Sequence, residues 1–476
     1  YQPKVGADAA VLKGIMKALI AKDDVASDVL DHAFIAEHTN GFTAFAADLR
    51  ATPWELIEAI SGFTRAQLGE VAAAYARSNA TILTYGMGIT QHSRGTGTVQ
   101  QIANLLLLRG NFGKPGAGIC PLRGHSNVQG NRTVGITEKP NIPMFDGIER
   151  TFGFKPPRHH GHDSVAAMEA IDDGRSKVLI CLGGNFAVAL PDPERCRAGM
   201  RKLDLAVHLG TKLNRSHLLV GKQSIILPVL GRTERDVQAS GPQAITVEDS
   251  MSMVHASRGR LSPASEHLRS ESAIVAGMAI ATLPASKVPW AELIADYDRI
   301  RDAIEGVFPD FRDYNQRIRH PGGFRLPLPP TERKWTTPSG KAEFLLFNGL
   351  EEDPAVTDKT ILKLTTIRSH DQYNTTIYGL NDRYRGVFGR RDVLFMNEAD
   401  LAGLGFAHGD LVEIRTALPS GEPRHLSLTA VAHDIARGSV AAYYPEANEL
   451  VPLDYCDKES GTPSYKSVPV RIHRAA

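Results

Sequence analysis

The stretch Tyr85–Gly130, YGMGITQHSRGTGTVQQIANLLLLRGNFGKPGAGICPLRGHSNVQG, decides how this chain is read. It is entered from Thr81-Ile-Leu-Thr-Tyr85, a run of β-formers that predicts a strand. Gly86 and Gly88 follow at once, and glycine there lets backbone N–H groups approach an anionic ligand closely. Val99–Leu108 carries a helical pattern, with Gly110 just past its end as a stop. Gly113, Pro115, Gly116 and Gly118 make a stiff, turning connection. Arg123 then stands among Gly124, His125, Ser126, Asn127 and Gln129, a density of hydrogen-bonding groups that suits a polar ligand with many heteroatoms. A strand, a Gly-x-Gly turn and a helix also open a dinucleotide-binding unit, but that fingerprint needs a third glycine three residues after the second. Gln91 occupies that position, which argues against a nicotinamide dehydrogenase.

Working outward, the 476 residues predict about three domains. An apolar content of 42% and a charged content of 22% are ordinary for a globular enzyme. The formal charge of +1 encodes no bulk attraction to nucleic acid or to an anionic membrane, and no run reaches the ~18 apolar residues of a membrane helix. Neither nucleic acid nor membrane insertion is therefore expected. Cys120, Cys181, Cys196 and Cys456 are far apart and lack C-x-x-C spacing, against a disulfide framework and a self-contained iron–sulfur or zinc site. The expectation is reduced thiols in a cytoplasmic protein. The loop Arg158-His-His-Gly-His162-Asp163 crowds four potential ligands without a separated partner pair, so no metal ligand is assigned in this chain. The start at Tyr1 shows no secretory pattern and suggests that something upstream is missing.

Val11, Leu12, Ile15, Met16, Leu19 and Ile20 mark one face of a helix after Gly6-Ala-Asp8, where Asp8 is a candidate N-cap. Thr52-Pro-Trp-Glu55 and Thr64-Arg-Ala-Gln67 read as capping boxes. Val178–Leu182 predicts a buried parallel strand ending in Gly183-Gly184-Asn185. Leu205–Leu209, ending in Gly210-Thr211, and Ile225–Leu227 predict two more, giving a second α/β domain whose ligand turns lie at the strands' carboxyl ends. Arg325–Pro330 reads as an extended linker. Short strands then follow at Ile361–Thr366, Leu411–Thr416, Leu426–Ala432 and Val440–Tyr444, with a short helix at Asn397–Gly403. Arg383, Arg385, Arg390 and Arg391 form a basic cluster, either a solvated face or a phosphate or partner contact.

Gly86–Gln91 (Gly-Met-Gly-x-Thr-Gln), Asn104-Leu105, Leu107–Gly110, Gly113-Lys-Pro115 and Arg123–Gly130 (Arg-Gly-x-x-Asn-Val-Gln-Gly) together resemble the formate dehydrogenase branch of the molybdopterin oxidoreductases, the dimethyl sulfoxide reductase superfamily. The resemblance runs from residue 3 to residue 471. It implies an α/β fold with two Rossmann-like domains, 1–125 and 126–345, and a C-terminal double-psi-type β-barrel, 355–476. It implies molybdenum or tungsten held by two molybdopterin guanine dinucleotides, with Gly6, Asp8, Gly86, Gly88, Gln91, Gly184, Asn185, Thr211, Arg368, Gln372, Asn374, Asn448, Tyr465 and Lys466 as contacts. Arg123 takes the place of the arginine that holds a formate-like carboxylate, and His125 stands beside it where many formate dehydrogenases carry Gln. The family's metal-ligating Cys and its 4Fe-4S cluster lie upstream of such a block. This chain is therefore expected to be the C-terminal portion, passing electrons to that cluster and an electron-transfer subunit. The alternative is a catalytically silent pterin-dinucleotide-binding protein of the same fold.

Overall fold

Asp8 opens a helix that runs to Ala26, and the apolar face read in the sequence turns inward: Ile15, Met16, Leu19 and Ile20 are buried. Around it pack the helices Phe42–Ala51, Trp54–Ser61, Arg65–Arg77 and Gly95–Leu108, which add Phe45, Leu49, Ile57, Leu68, Leu105 and Leu108 to one core. Each such side chain contributes roughly 1.5–3 kcal/mol on burial. The Thr64 capping box is present in full, with Gln67 reaching back to the Thr64 amide. The Thr52 box is not. Thr52 Oγ1 donates to the Asp48 carbonyl at 2.9 Å, closing the preceding helix, and Pro53 takes the cap position without a side-chain bond. Strands β1 (Ile82–Tyr85) and β2 (Gly118–Pro121) pair beside this bundle.

The computed structural model describes residues 1–419 and 421–475. They divide into two units, one comprising Tyr1–Cys120, Ala187–Arg197 and the chain from Pro329 onward, the other Pro121–Phe186 and Ala198–Leu328. In the second unit β3 (Val178–Leu182), β4 (Leu205–Gly210) and β5 (Gln223–Pro228) form the expected parallel sheet, in the order β3-β4-β5. β4 is buried, but β3 is not: Val178, Ile180 and Leu182 are each about half exposed. β3 is an edge strand, and its alternate side chains point to a face left open among the described residues. A second, antiparallel sheet was not foreseen. It joins β6 (Ile245–Glu248), β7 (Met253–Ser257) and β8 (Phe324–Arg325) over Val254, Phe311, Tyr314 and Ile318.

The C-terminal part of the first unit is a closed barrel. Its strands are β9 (Leu362–Ile367), β10 (Val393–Met396), β11 (Leu411–Thr416), β12 (His425–Ala432), β13 (Ser439–Tyr443) and β14 (Val468–Arg474), joined in the order β9-β13-β10-β12-β11-β14. Closure leaves no free edge, and Leu364, Leu394, Val412, Ile414, Leu428, Val440, Val468 and Val470 fill the interior. The fold is thus α/β with a C-terminal barrel, as expected. Among the described residues no helix is long and apolar enough to cross a membrane.

Candidate functional site

In the first unit most of the residues named from sequence gather where the helical part meets the end of the barrel. The Lys466 amide donates to the Gln91 carbonyl at 3.0 Å, tying the turn after Gly88 to the segment before β14. The space beside Gly88 is open, since a Cβ there would meet no atom within 4 Å. Gly6 is required for a different reason. Its φ is +76°, and a Cβ would lie 2.3 Å from Ser467 Oγ, so glycine is what allows the chain to pass the barrel. Asp8 is the first residue of its helix and caps nothing. Its Oδ2 lies 3.9 Å from His92 Nε2, which is also 2.5 Å from the Gly88 carbonyl. Burial pushes the Asp8 carboxyl up, with His92 acting the other way, and pushes the His92 imidazole down against the pull of Asp8.

Lys466 is half-buried, and its ammonium donates to the Thr366 carbonyl. Burial, and secondarily the charge of Arg368, lower its pKa to about 8. Arg368 lies over the Tyr444 ring, 5.8 Å from its centre. Among the described residues neither cation has a carboxylate partner, a state that an anionic ligand would relieve. Asn374 holds a left-handed conformation, φ 49°, and its Oδ1 is 3.4 Å from the Tyr444 hydroxyl. Gln372 builds this turn. Its amide nitrogen donates to the Asn374 and Tyr444 carbonyls, both at 2.7 Å, and its Oε1 accepts from Ser369 and Arg391. Asn448 is fully buried, its amide aimed at the carbonyls of Val188 (3.0 Å) and Leu190 (3.3 Å), while the Tyr465 hydroxyl donates to that of Ala189 at 2.8 Å. These two therefore shape the 188–190 loop.

The basic cluster resolves into individual roles. Buried Arg391 bonds Glu446 at 2.8 Å, Ser369 at 3.0 Å and the Tyr444 carbonyl at 2.9 Å, between the rings of Tyr378 and Tyr443. Arg385 pairs with Asp382, Arg390 with Asp392, and Arg383 covers the Tyr384 ring.

In the second unit, Gly183 and Gly184 adopt φ of +70° and +77° with open space at both Cβ positions. Asn185 is buried and accepts from Ser216 Oγ at 2.7 Å, while Thr211 is exposed at the end of β4. Asn214, unnoticed in the sequence, donates to the Gly184 carbonyl at 2.8 Å. This is the carboxyl end of a parallel sheet, where ligands enter such folds. Arg123 and His125 are exposed on the segment that packs against β6. Arg123 Nε donates to Gln129 Oε1 at 3.2 Å, and among the described residues its terminal amino groups donate to no protein atom. Of the crowded 158–163 loop, Arg158 pairs with Asp146 and Glu149, and Asp163 caps the next helix. His92 and Glu248 were missed. Each acts through a contact between segments distant in sequence or through a neighbouring backbone group, and no motif marks them.

A molybdopterin oxidoreductase model matches residues 2–235, and a molydopterin dinucleotide-binding domain model matches 362–469. Protein YdeP of Shigella flexneri is 54% identical over 480 residues, covering 99% of this chain and 63% of YdeP. A Staphylococcus aureus (strain MRSA252) protein, whose name gives formate dehydrogenase as a provisional assignment, is 33% identical over 215 residues, 44% of this chain and 21% of its own. Among solved structures, acetylene hydratase from Pelobacter acetylenicus superposes with a TM-score of 0.68 at 16% identity, over 99% of this chain and 71% of its own. That last likeness is one of fold.

Proposed function

The chain belongs to the molybdopterin oxidoreductase family and carries a dinucleotide-binding domain, and from that premise we propose that it grips cofactor and substrate in a cytoplasmic, formate-dehydrogenase-like enzyme. The chain spans 63% of the length of YdeP, so the proposal concerns the longer protein. The donor set of the first unit fits an anionic dinucleotide, because among the described residues Arg368 and Lys466 are cations without carboxylate partners and Gly88 leaves room for close backbone approach. The bound group, molybdenum or tungsten held by two molybdopterin guanine dinucleotides, would supply two-electron redox chemistry, with a 4Fe-4S cluster outside this chain and an electron-transfer subunit as the onward route. Arg368 and Lys466 neutralise phosphate, Asn374 offers donor and acceptor atoms beside them, and residues 1–125, 126–345 and 355–476 are the domains.

The observation that carries the substrate assignment is Arg123. Its Nε is held by Gln129, and among the described residues its terminal amino groups are uncommitted at an exposed position. A guanidinium so presented grips a carboxylate with paired hydrogen bonds, and His125 supplies a titratable group alongside. The test is Arg123→Lys and Arg123→Ala in the full-length protein, with metal and pterin content measured beside kcat/KM for formate and other small carboxylates. Arg123→Lys should lose one charge-assisted bond, about 1.5–3 kcal/mol or roughly 10- to 150-fold in kcat/KM, with cofactor content unchanged. Arg123→Ala should lose more. Cofactor loss in Arg123→Ala would make the arginine a pterin ligand. Full cofactor with no turnover of any carboxylate by the wild type would favour the silent, cofactor-binding reading.

A further inference from the structure

We propose that Glu248 is a positioning residue for Arg123, acting through the amide of Gln129. The inference rests on the reading of Arg123 as the group that holds the substrate. Glu248 ends β6 and is 5% exposed. Its Oε1 accepts from Gln129 Nε2 at 2.8 Å, and the same nitrogen lies 3.1 Å from Ser252 Oγ. Gln129 Oε1 accepts from Arg123 Nε at 3.2 Å. The Glu248 amide donates to Asn127 Oδ1 at 3.0 Å, so two side chains of the Arg123–Gly130 segment are pinned to this one residue.

The direction of this chain of bonds follows from chemistry. A guanidinium Nε–H can only donate, so Gln129 turns its NH2 away from Arg123 and toward Glu248. Its oxygen then has to face Arg123. Were the amide reversed, two donors would meet at Arg123 Nε and two acceptors at Glu248. Holding Nε fixes the plane of the guanidinium and leaves its terminal amino groups forward. No cation neutralises Glu248 within ion-pair reach among the described residues. Among the described residues its Oε2 is buried without a hydrogen-bond partner, and Glu248 lines a cavity of about 90 Å³ with Asn127, Thr246 and Tyr314. Leaving a buried carboxylate oxygen unsatisfied is costly, which suits a residue kept for orientation rather than stability.

The experiment measures hydrogen exchange of the Arg123 Nε proton by nitrogen-15 NMR in the full chain, assigned by its loss in Arg123→Lys. Formate is titrated as the probe. Glu248→Gln keeps the shape but lets both amides reverse. It should speed exchange of that proton about tenfold, the effect of losing one hydrogen bond to a charged group, and weaken the formate response. Adding Gln129→Glu to Glu248→Gln moves the acceptor-only group to position 129, where it accepts from both neighbours, so protection should return. Unchanged exchange in Glu248→Gln overturns the proposal. Fast exchange in both variants also overturns it, because polarity would then not be the cause. If Glu248→Gln fails to fold, the double variant decides alone: protection at the wild-type level supports the relay and its loss refutes it. If formate leaves the wild-type Arg123 signal unmoved while Glu248→Gln speeds exchange, the substrate reading falls and the positioning role stands.

Discussion

Lys466 turns the proposed dinucleotide site into a titration. A lysine in water keeps its charge to a pH near ~10.4. Burial, with Arg368 nearby, brings this one down to about 8. At pH 7 roughly nine-tenths of the molecules carry the ammonium, and at pH 9 roughly one-tenth, by the ordinary titration relation. If only the charged form holds phosphate, affinity should fall about tenfold between those values, or ~1.4 kcal/mol. A bound phosphate raises the lysine's pKa in the complex, so the fall begins at the free-protein value. The stability effect has the opposite sense. The folded pKa is depressed below the unfolded one, so the charged lysine costs stability below pH 8, and the cost is relieved as pH rises from about 8 toward ~10.4. Lys466→Met should therefore fold at least as stably as the wild type at pH 7 while losing both the affinity and its pH dependence. Calorimetric titration of guanosine diphosphate into the chain at pH 7, 8 and 9 reads this directly. Equal affinity at pH 7 and 9, or wild-type affinity in Lys466→Met, would refute the assignment of Lys466 to a phosphate.

Three further outcomes follow from the same geometry. Arg391→Met leaves Glu446, Ser369 and the Tyr444 carbonyl without their donor, and thermal melting should show a loss of about 3–5 kcal/mol. Arg390→Met breaks only an exposed pair and should cost under about 1 kcal/mol, so similar losses for the two would count against this account. Asn448→Ala strips the buried carbonyls of Val188 and Leu190 of their donor and should cost about 1–3 kcal/mol in denaturant melts; a neutral result would mean water replaces the amide. The Cys181 thiol is pushed up to about 11 by burial, so at pH 8 it should alkylate far more slowly than an ordinary cysteine, as followed by mass spectrometry.

The parts of the fold legible in sequence were those whose signal is local. Helix periodicity gave Ile15, Met16, Leu19 and Ile20 their inward face, and the Thr64–Gln67 box is local by construction. The same local rule misread Thr52, whose hydroxyl had a nearer acceptor in the preceding helix. Four barrel strands were legible from their apolar or alternating runs. β10 was passed over because Val393–Met396 is short and lies between an arginine-rich loop and a helix cap. β14 carries Pro469 near its start, a residue that local strand rules disfavour in a strand interior. In the closed barrel, Pro469 simply sits opposite Lys363 in the antiparallel pairing of β9 and β14. An apolar run cannot say which of its faces will be covered, which is why β3 was expected to be buried.

The site divides along the same line. Residues that would touch a ligand sit in glycine-bearing turns with polar side chains, and that pattern is visible in one dimension at Gly86–Gln91, Gly183–Asn185 and Arg123–Gln129. Residues that orient them are chosen by partners from other segments. Gln372 carries the same donors and acceptors as a ligand contact would, but Arg391, Ser369 and Tyr444 consume them. Asn448 is likewise committed to a loop some 258 residues earlier. Glu248 stands at the end of an unremarked strand, 119 residues from the glutamine it orients. An amide has one donor end and one acceptor end, so its role is fixed only when its neighbours are known. A guanidinium or ammonium without a counter-ion has an unmet demand whatever surrounds it. Arg123, Arg368 and Lys466 were named through the resemblance, and among the described residues none of the three has a carboxylate partner, whereas the neutral polar residues around them needed the fold to show which protein groups engage them.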